Sequence, residues 1–172
     1  MRKVILSLVI ISCAPAVAAA VKAQTGIIPL PKEKLEGPVI SFPETIVREL
    51  YRVHRNGKGH IFERQGRKRQ QQFFAPGLAA LIWKNLAVTP EGEGGYIDFD
   101  PLYNAQDMQI KNFRVGAAVL KGDTATVPVT FLNFNQKVRI EFHLVNTKAG
   151  WKVSNIDYGD GMDFVQILSQ PM

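Results

Sequence analysis

Val127-Pro128-Val129-Thr130-Phe131-Leu132-Asn133-Phe134-Asn135-Gln136-Lys137-Val138-Arg139-Ile140-Glu141-Phe142-His143-Leu144 is the stretch that decides the fold class. Val127, Val129 and Phe131 recur at a period of two. Asn133 to Gln136 supplies a turn, and Val138, Ile140, Phe142 and Leu144 then alternate with Lys137, Arg139, Glu141 and His143. A period of two with one apolar face is a half-buried strand, and so short a turn joins antiparallel neighbours. Pro128 brings no N–H to a ladder, so a bulge or bend is expected beside it.

The same pattern extends in both directions. Phe113, Val115, Ala117 and Val119 alternate with Arg114, Gly116, Ala118 and Leu120, and Lys121-Gly122-Asp123 turns the chain. Downstream, Lys148-Ala149-Gly150 turns it again into Trp151-Lys152-Val153. Before residue 110 the period is helical. Ser41 can cap a helix whose first turn holds Pro43 and Glu44. Ile46, Val47, Leu50, Tyr51 and His54 lie on one face of it, with Arg48, Glu49, Arg52 and Arg55 facing away. A second helical region spans 67–86 and is split at Pro76, after which Leu78, Leu81, Ile82 and Leu86 form the apolar stripe. A short helix over 162–168 closes the chain. Helices followed by a meander with one apolar face predict an α+β fold, with N-terminal helices packed on a curved antiparallel sheet.

The chain has 172 residues, 46% of them apolar, with one cysteine. This suffices for one core and excludes a disordered chain, a collagen-like repeat, a disulfide scaffold and a polytopic membrane protein. Arg2 and Lys3, the apolar run Val4 to Ile11 and the small residues after it read as an export signal over 1–23, cut before Val21 or Gln24. Ile10-Ile11-Ser12-Cys13 also has the shape of a lipidation site, and a lipoprotein anchored through Cys13 is the alternative. Residues 24–40, with Pro29, Pro31 and Pro38, read as an extended arm, and 41–172 as a single domain. Removing Arg2, Lys3 and Lys22 takes the 21 basic side chains to 18, against 15 acidic ones.

Asp100-Pro101-Leu102-Tyr103-Asn104-Ala105-Gln106-Asp107 before the meander and Gly150-Trp151-Lys152-Val153-Ser154-Asn155-Ile156 near its end resemble a group of exported bacterial domains of unknown function. That group belongs to the nuclear transport factor 2-like superfamily, and the resemblance spans about residues 43–168. It implies a cone-shaped sheet around helices and an exported, periplasmic or secreted location. It implies no activity and no catalytic residues. Related folds use the open end of the cone as a pocket, which makes Tyr103, Asp107, Trp151, Asp157 and Tyr158 the candidate mouth-lining residues.

Two functions follow. An exported, non-catalytic binding module of the cell envelope fits the lack of a nucleophile, a metal-ligand spacing or an acid–base pair. The alternative is a small isomerase- or hydratase-like pocket enzyme on an apolar ligand, with Asp107 or Tyr103 as acid or base. Asp100 and Asp107 have a plainer role open to them, bonding backbone amides between helix and sheet. His54, His60 and Glu63 match no zinc spacing, and Gly159 and Gly161 stand where a calcium loop through Asp157, Asp160 and Asp163 would need ligands. No cofactor or metal is expected. Residues 48–69 hold eight basic against two acidic side chains. Arg48, Arg52, Arg55, Arg64, Arg67, Lys68 and Arg69 are therefore candidates for an anionic partner, a protein or an envelope component rather than nucleic acid. Leu120, Leu132, Phe134 and Val145, read as lying on the outer face of the sheet, suggest a weak homodimer.

Overall fold

The computed structural model describes residues 42–55, 60–89, 97–159 and 161–170. The expected export segment, Cys13, the arm over 24–40 and the cap at Ser41 lie outside them.

Helix α1, Pro43–Arg55, carries Glu44 in its first turn and Arg52, His54 and Arg55 in its last, each suited to the helix dipole. Val47, Leu50, Tyr51 and Val53 are buried, and His54 is half-buried. A 3-10 turn at Arg64–Gly66 leads into α2, Arg67–Phe73. Pro76 opens α3, Pro76–Val88, because a proline at the first position gives up an N–H that has no intrahelical partner there. The break between α2 and α3 serves the tertiary structure. Ala75 N–H donates to the Val153 carbonyl at 2.7 Å, which ties the helical hairpin to the sheet.

The sheet contains β1 Ile110–Val115, β2 Val119–Lys121, β3 Thr124–Asn133, β4 Gln136–Thr147 and β5 Gly150–Asp157. The order is β1-β3-β4-β5, with β2 also beside β3 and every pairing antiparallel. Phe134 and Asn135 both take positive φ, 46° and 65°, which gives the β3–β4 turn the twist that antiparallel strands need. Helix α4, Phe164–Ser169, starts at a capping box in which the Asp163 carboxylate accepts from the Gln166 N–H, while the Gln166 side chain accepts from the Asp163 N–H. This is the expected α+β fold.

One sheet face is apolar. Val127 pairs with Phe142 and Phe142 with Ile156; Val129 pairs with Ile140, and Leu144 with Val153. All seven residues are buried, and they pack against Val47, Leu50, Tyr51, Leu78, Ile82 and Phe164 from the helices. Arg139, Glu141 and His143 alternate out of phase onto the other face, as expected.

The segment 113–120 departs from expectation. It is two strands, broken at Gly116–Ala118. Val115 pairs with Val129 and Val119 with Thr126, so three residues on one side face two on the other. Pro128 is the cause. Its carbonyl accepts from Gly116 N–H at 2.8 Å. The absent N–H of Pro128 therefore points to the same side, while the ladder to β4 runs unbroken through Pro128 and Glu141. The expected bulge exists, but it falls on the partner strand. A second irregularity precedes it, where Asn112 at φ 53° shifts the β1 register between Lys111 and Arg114.

Candidate functional site

The Asp100-Pro101-Leu102-Tyr103 turn is held from three sides. Asp100 Oδ1 accepts from the Leu102 N–H at 2.9 Å, and Asp100 Oδ2 lies 2.6 Å from His54 Nε2. Tyr51 on α1 donates its hydroxyl to the Leu102 carbonyl, and Tyr158 donates to the Pro101 carbonyl at 3.1 Å. Tyr103 then points inward. Its ring sits 5.4 Å from that of Tyr51 and 5.5 Å from that of Phe131, both edge-on. Burial pushes its phenol above the usual range, Arg55 pulls it back and Asp100 raises it further.

The five candidate mouth residues do not converge. Tyr103, in this turn, and Tyr158, which bonds it, are both buried. Asp107 is exposed, and its backbone carbonyl accepts from Asn133 Nδ2 at 3.1 Å. Trp151 pairs with Asn146 at one end of β5, whereas Asp157 pairs with Glu141 on the outer face at the other. Six residues of strand, about 20 Å, separate these two. The Asp157 carboxylate accepts from the Gly159 N–H at 2.8 Å.

Of the imidazoles and acids considered as metal ligands, His54 lies against Asp100, and Asp160 is outside the described residues. His60 Nδ1 lies 2.8 Å from the Glu63 carboxylate, and Asp163 caps α4. Among the described residues no group of three or more His, Cys, Asp or Glu could hold a metal ion. His143 lies on the outer face, with Nδ1 3.4 Å from the Thr126 hydroxyl. The residues behind the expected homodimer are dispersed. Leu132 pairs with Lys137 and Val145 with Lys152, at opposite ends of that face, Phe134 is at a turn tip, and Leu120 pairs with Ala125 on the core-facing side.

The basic candidates divide. Arg64 donates to the Leu86 carbonyl at 2.9 Å and to that of Thr89, closing the last turn of α3. Arg67 lies over the Trp83 ring at 4.5 Å, and Arg69 bonds Gln72. Lys68 is exposed. Arg48, Arg52 and Arg55, by contrast, stand along one side of a cleft of about 420 Å³ between α1 and β1, with Tyr51, Phe113, Arg114 and Val115 completing the lining. Arg48 donates to the Val115 carbonyl at 2.8 Å, and Arg55 reaches over the Phe113 ring at 6.0 Å. Arg52 makes a two-point pair with Glu49, both contacts at 2.6 Å. Arg114 joins them from 59 residues further along the chain. The local pattern of its strand gives no sign of this meeting, which the shifted register at Asn112 and the packing of α1 bring about.

A second concavity of about 480 Å³ lies between α2, α3 and the β4–β5 turn, lined mainly by Phe74, Pro76, Ala79, Ala80 and Trp83. No described helix is long and apolar enough to cross a membrane.

The fold and these clefts define the chain as an α+β protein with its concavities on the surface. No family model and no curated protein matches it. Among solved structures it is similar to a chain of the type VI effector-immunity complex Tae3-Tai3 from Ralstonia pickettii, at 21% identity over 70% of this chain and 98% of that one, with a TM-score of 0.48. A chain of the native form of that complex is 23% identical over 54% of this chain and 75% of that one, with a TM-score of 0.41. A phospholipid-binding protein from Ralstonia solanacearum is 14% identical over 74% and 83%, with a TM-score of 0.40.

Proposed function

We propose that this chain is an exported, non-catalytic binding module with a cone of the nuclear transport factor 2-like kind, whose partner is a protein or an envelope component. The observation that carries this reading is the filling of the concave side of the sheet, where a pocket enzyme would hold substrate. The Tyr51 ring contacts those of Tyr103, Phe113 and Phe142 at centroid distances of 5.4, 4.7 and 5.7 Å. Tyr103 is buried against the Tyr51 and Phe131 rings, and burial raises its phenol, so it is a poor general base. Asp107, the other candidate, is exposed, and its backbone carbonyl accepts from Asn133 Nδ2. The charged N-terminus and apolar run over 1–23 support export to the periplasm or medium.

The protein purified from its native envelope should show no turnover across a broad substrate panel, and mass spectrometry should find an N-terminus at Val21 or Gln24. Turnover abolished by Asp107→Ala, with circular dichroism unchanged, overturns the non-catalytic reading. A diacylglyceryl adduct on Cys13 would instead place the chain on a membrane.

A further inference from the structure

We infer that the cleft between α1 and β1 is a binding site for a phosphate monoester whose organic part is apolar, an assignment that rests on the binding-module reading. Four arginines line it among the described residues, Arg48, Arg52, Arg55 and Arg114, and no acidic residue does. Glu49, beside Arg48 on α1, is already paired with Arg52. An excess of this size suits a dianion better than a carboxylate. A guanidinium also presents its donors in a planar fork that matches phosphate oxygens two at a time.

The cleft is organised before any ligand arrives. Arg48 is tethered by the Val115 carbonyl, Arg52 by Glu49, and Arg55 by the face of Phe113. Each tether uses only part of its guanidinium's donors, so the remaining N–H groups are held in place at reduced entropic cost. Arg114, on the edge strand β1, has no side-chain hydrogen bond or ion pair among the described residues, so its guanidinium is free to turn toward the cleft that it borders. Rise along α1 separates Arg48 from Arg55 by about 10 Å, enough for a phosphate to take two forks at one end while an attached group lies over the other. The floor beneath is apolar, with Phe113 half-buried and Val115 beside it. At about 420 Å³ the cleft falls in the range of small-ligand sites.

Calorimetric titration of the full chain at fixed ionic strength tests this with phenyl phosphate, inorganic phosphate and benzoate. Phenyl phosphate should bind at least about tenfold more tightly than either of the others, because only it meets both the forks and the ring. Arg55→Gln and Arg114→Gln should each weaken it by about tenfold, while the charge-matched Lys148→Gln on the exposed β4–β5 turn leaves it unchanged. Benzoate binding as tightly as phenyl phosphate, or equal affinity in the Arg55→Gln and Arg114→Gln variants, overturns the assignment. Absence of binding does so too, and leaves the module reading intact. Phenyl phosphate that binds and is split to phenol would overturn the module reading and keep the site. Vesicles of phosphatidylcholine with and without phosphatidic acid identify the source: selective binding to the doped vesicles supports a lipid headgroup, and binding of the soluble ester alone supports a free metabolite.

Discussion

Tyr51 is 1% exposed, yet it carries a hydroxyl into the core and gives it to the Leu102 carbonyl. Burial pushes its pKa well above the ordinary tyrosine value, and neighbouring Tyr103, Asp100 and Tyr158 push in the same direction. In the unfolded chain the phenol ionises near pH ~10. The folded chain keeps the proton beyond that point, so the stability it contributes is whole below pH ~10 and is lost as the pH rises further. Urea midpoints should therefore fall through the alkaline range. Tyr51→Phe should fall less steeply and cost about 1 kcal/mol at neutral pH, and equal slopes would refute the assignment. His54 and Asp100 form the other residue-scale contact joining α1 to the turn, at 2.6 Å with both side chains largely covered. A double-mutant cycle of His54→Ala and Asp100→Ala should show coupling of about 0.5–3 kcal/mol; strict additivity would mean that the pair contributes nothing.

At the scale of elements, the break between β1 and β2 depends on contact between Gly116 and Pro128. A Cβ on Gly116 would lie 2.8 Å from Pro128 Cγ and 3.2 Å from its carbonyl oxygen. Gly116→Ala should cost about 1–3 kcal/mol in chemical denaturation, and adding Pro128→Ala should recover part of the loss by removing the ring. If the double variant is no better than the single one, the ring is not the obstacle. Gly66 is tighter still, since a Cβ there would sit 1.7 Å from the His60 carbonyl oxygen. The helices over 43–55 and 76–88 and the strands over 124–147 were legible in the sequence, because each has a strong period and sharp turn residues at its ends. The break at 116–118 was not, because its cause lies on another strand.

At the scale of the molecule, one core among the described residues joins helices and sheet, so they should unfold together. The two tryptophans report on both parts: Trp83 lies on α3 and Trp151 on β5. Fluorescence of Trp83→Phe and of Trp151→Phe should give coincident urea transitions, each matching far-UV circular dichroism for that variant. Separate midpoints would mean that the helices and sheet melt independently. Phe142, fully buried between Val127 and Ile156 and against the Tyr51 ring, belongs to both parts, and Phe142→Ala should cost about 3–5 kcal/mol in the same transition. The sequence by itself determined the element types, the apolar face of the sheet and the outward position of His143, because hydrophobic period and turn chemistry are properties of neighbours along the chain. Only the tertiary structure decided that Tyr103 turns into the core, that Asp157 and Trp151 lie at opposite ends of a strand, and that Arg114 meets the arginines of α1. Those outcomes depend on contacts between segments tens of residues apart, whose geometry is set by packing and strand register, and a local pattern carries no record of either.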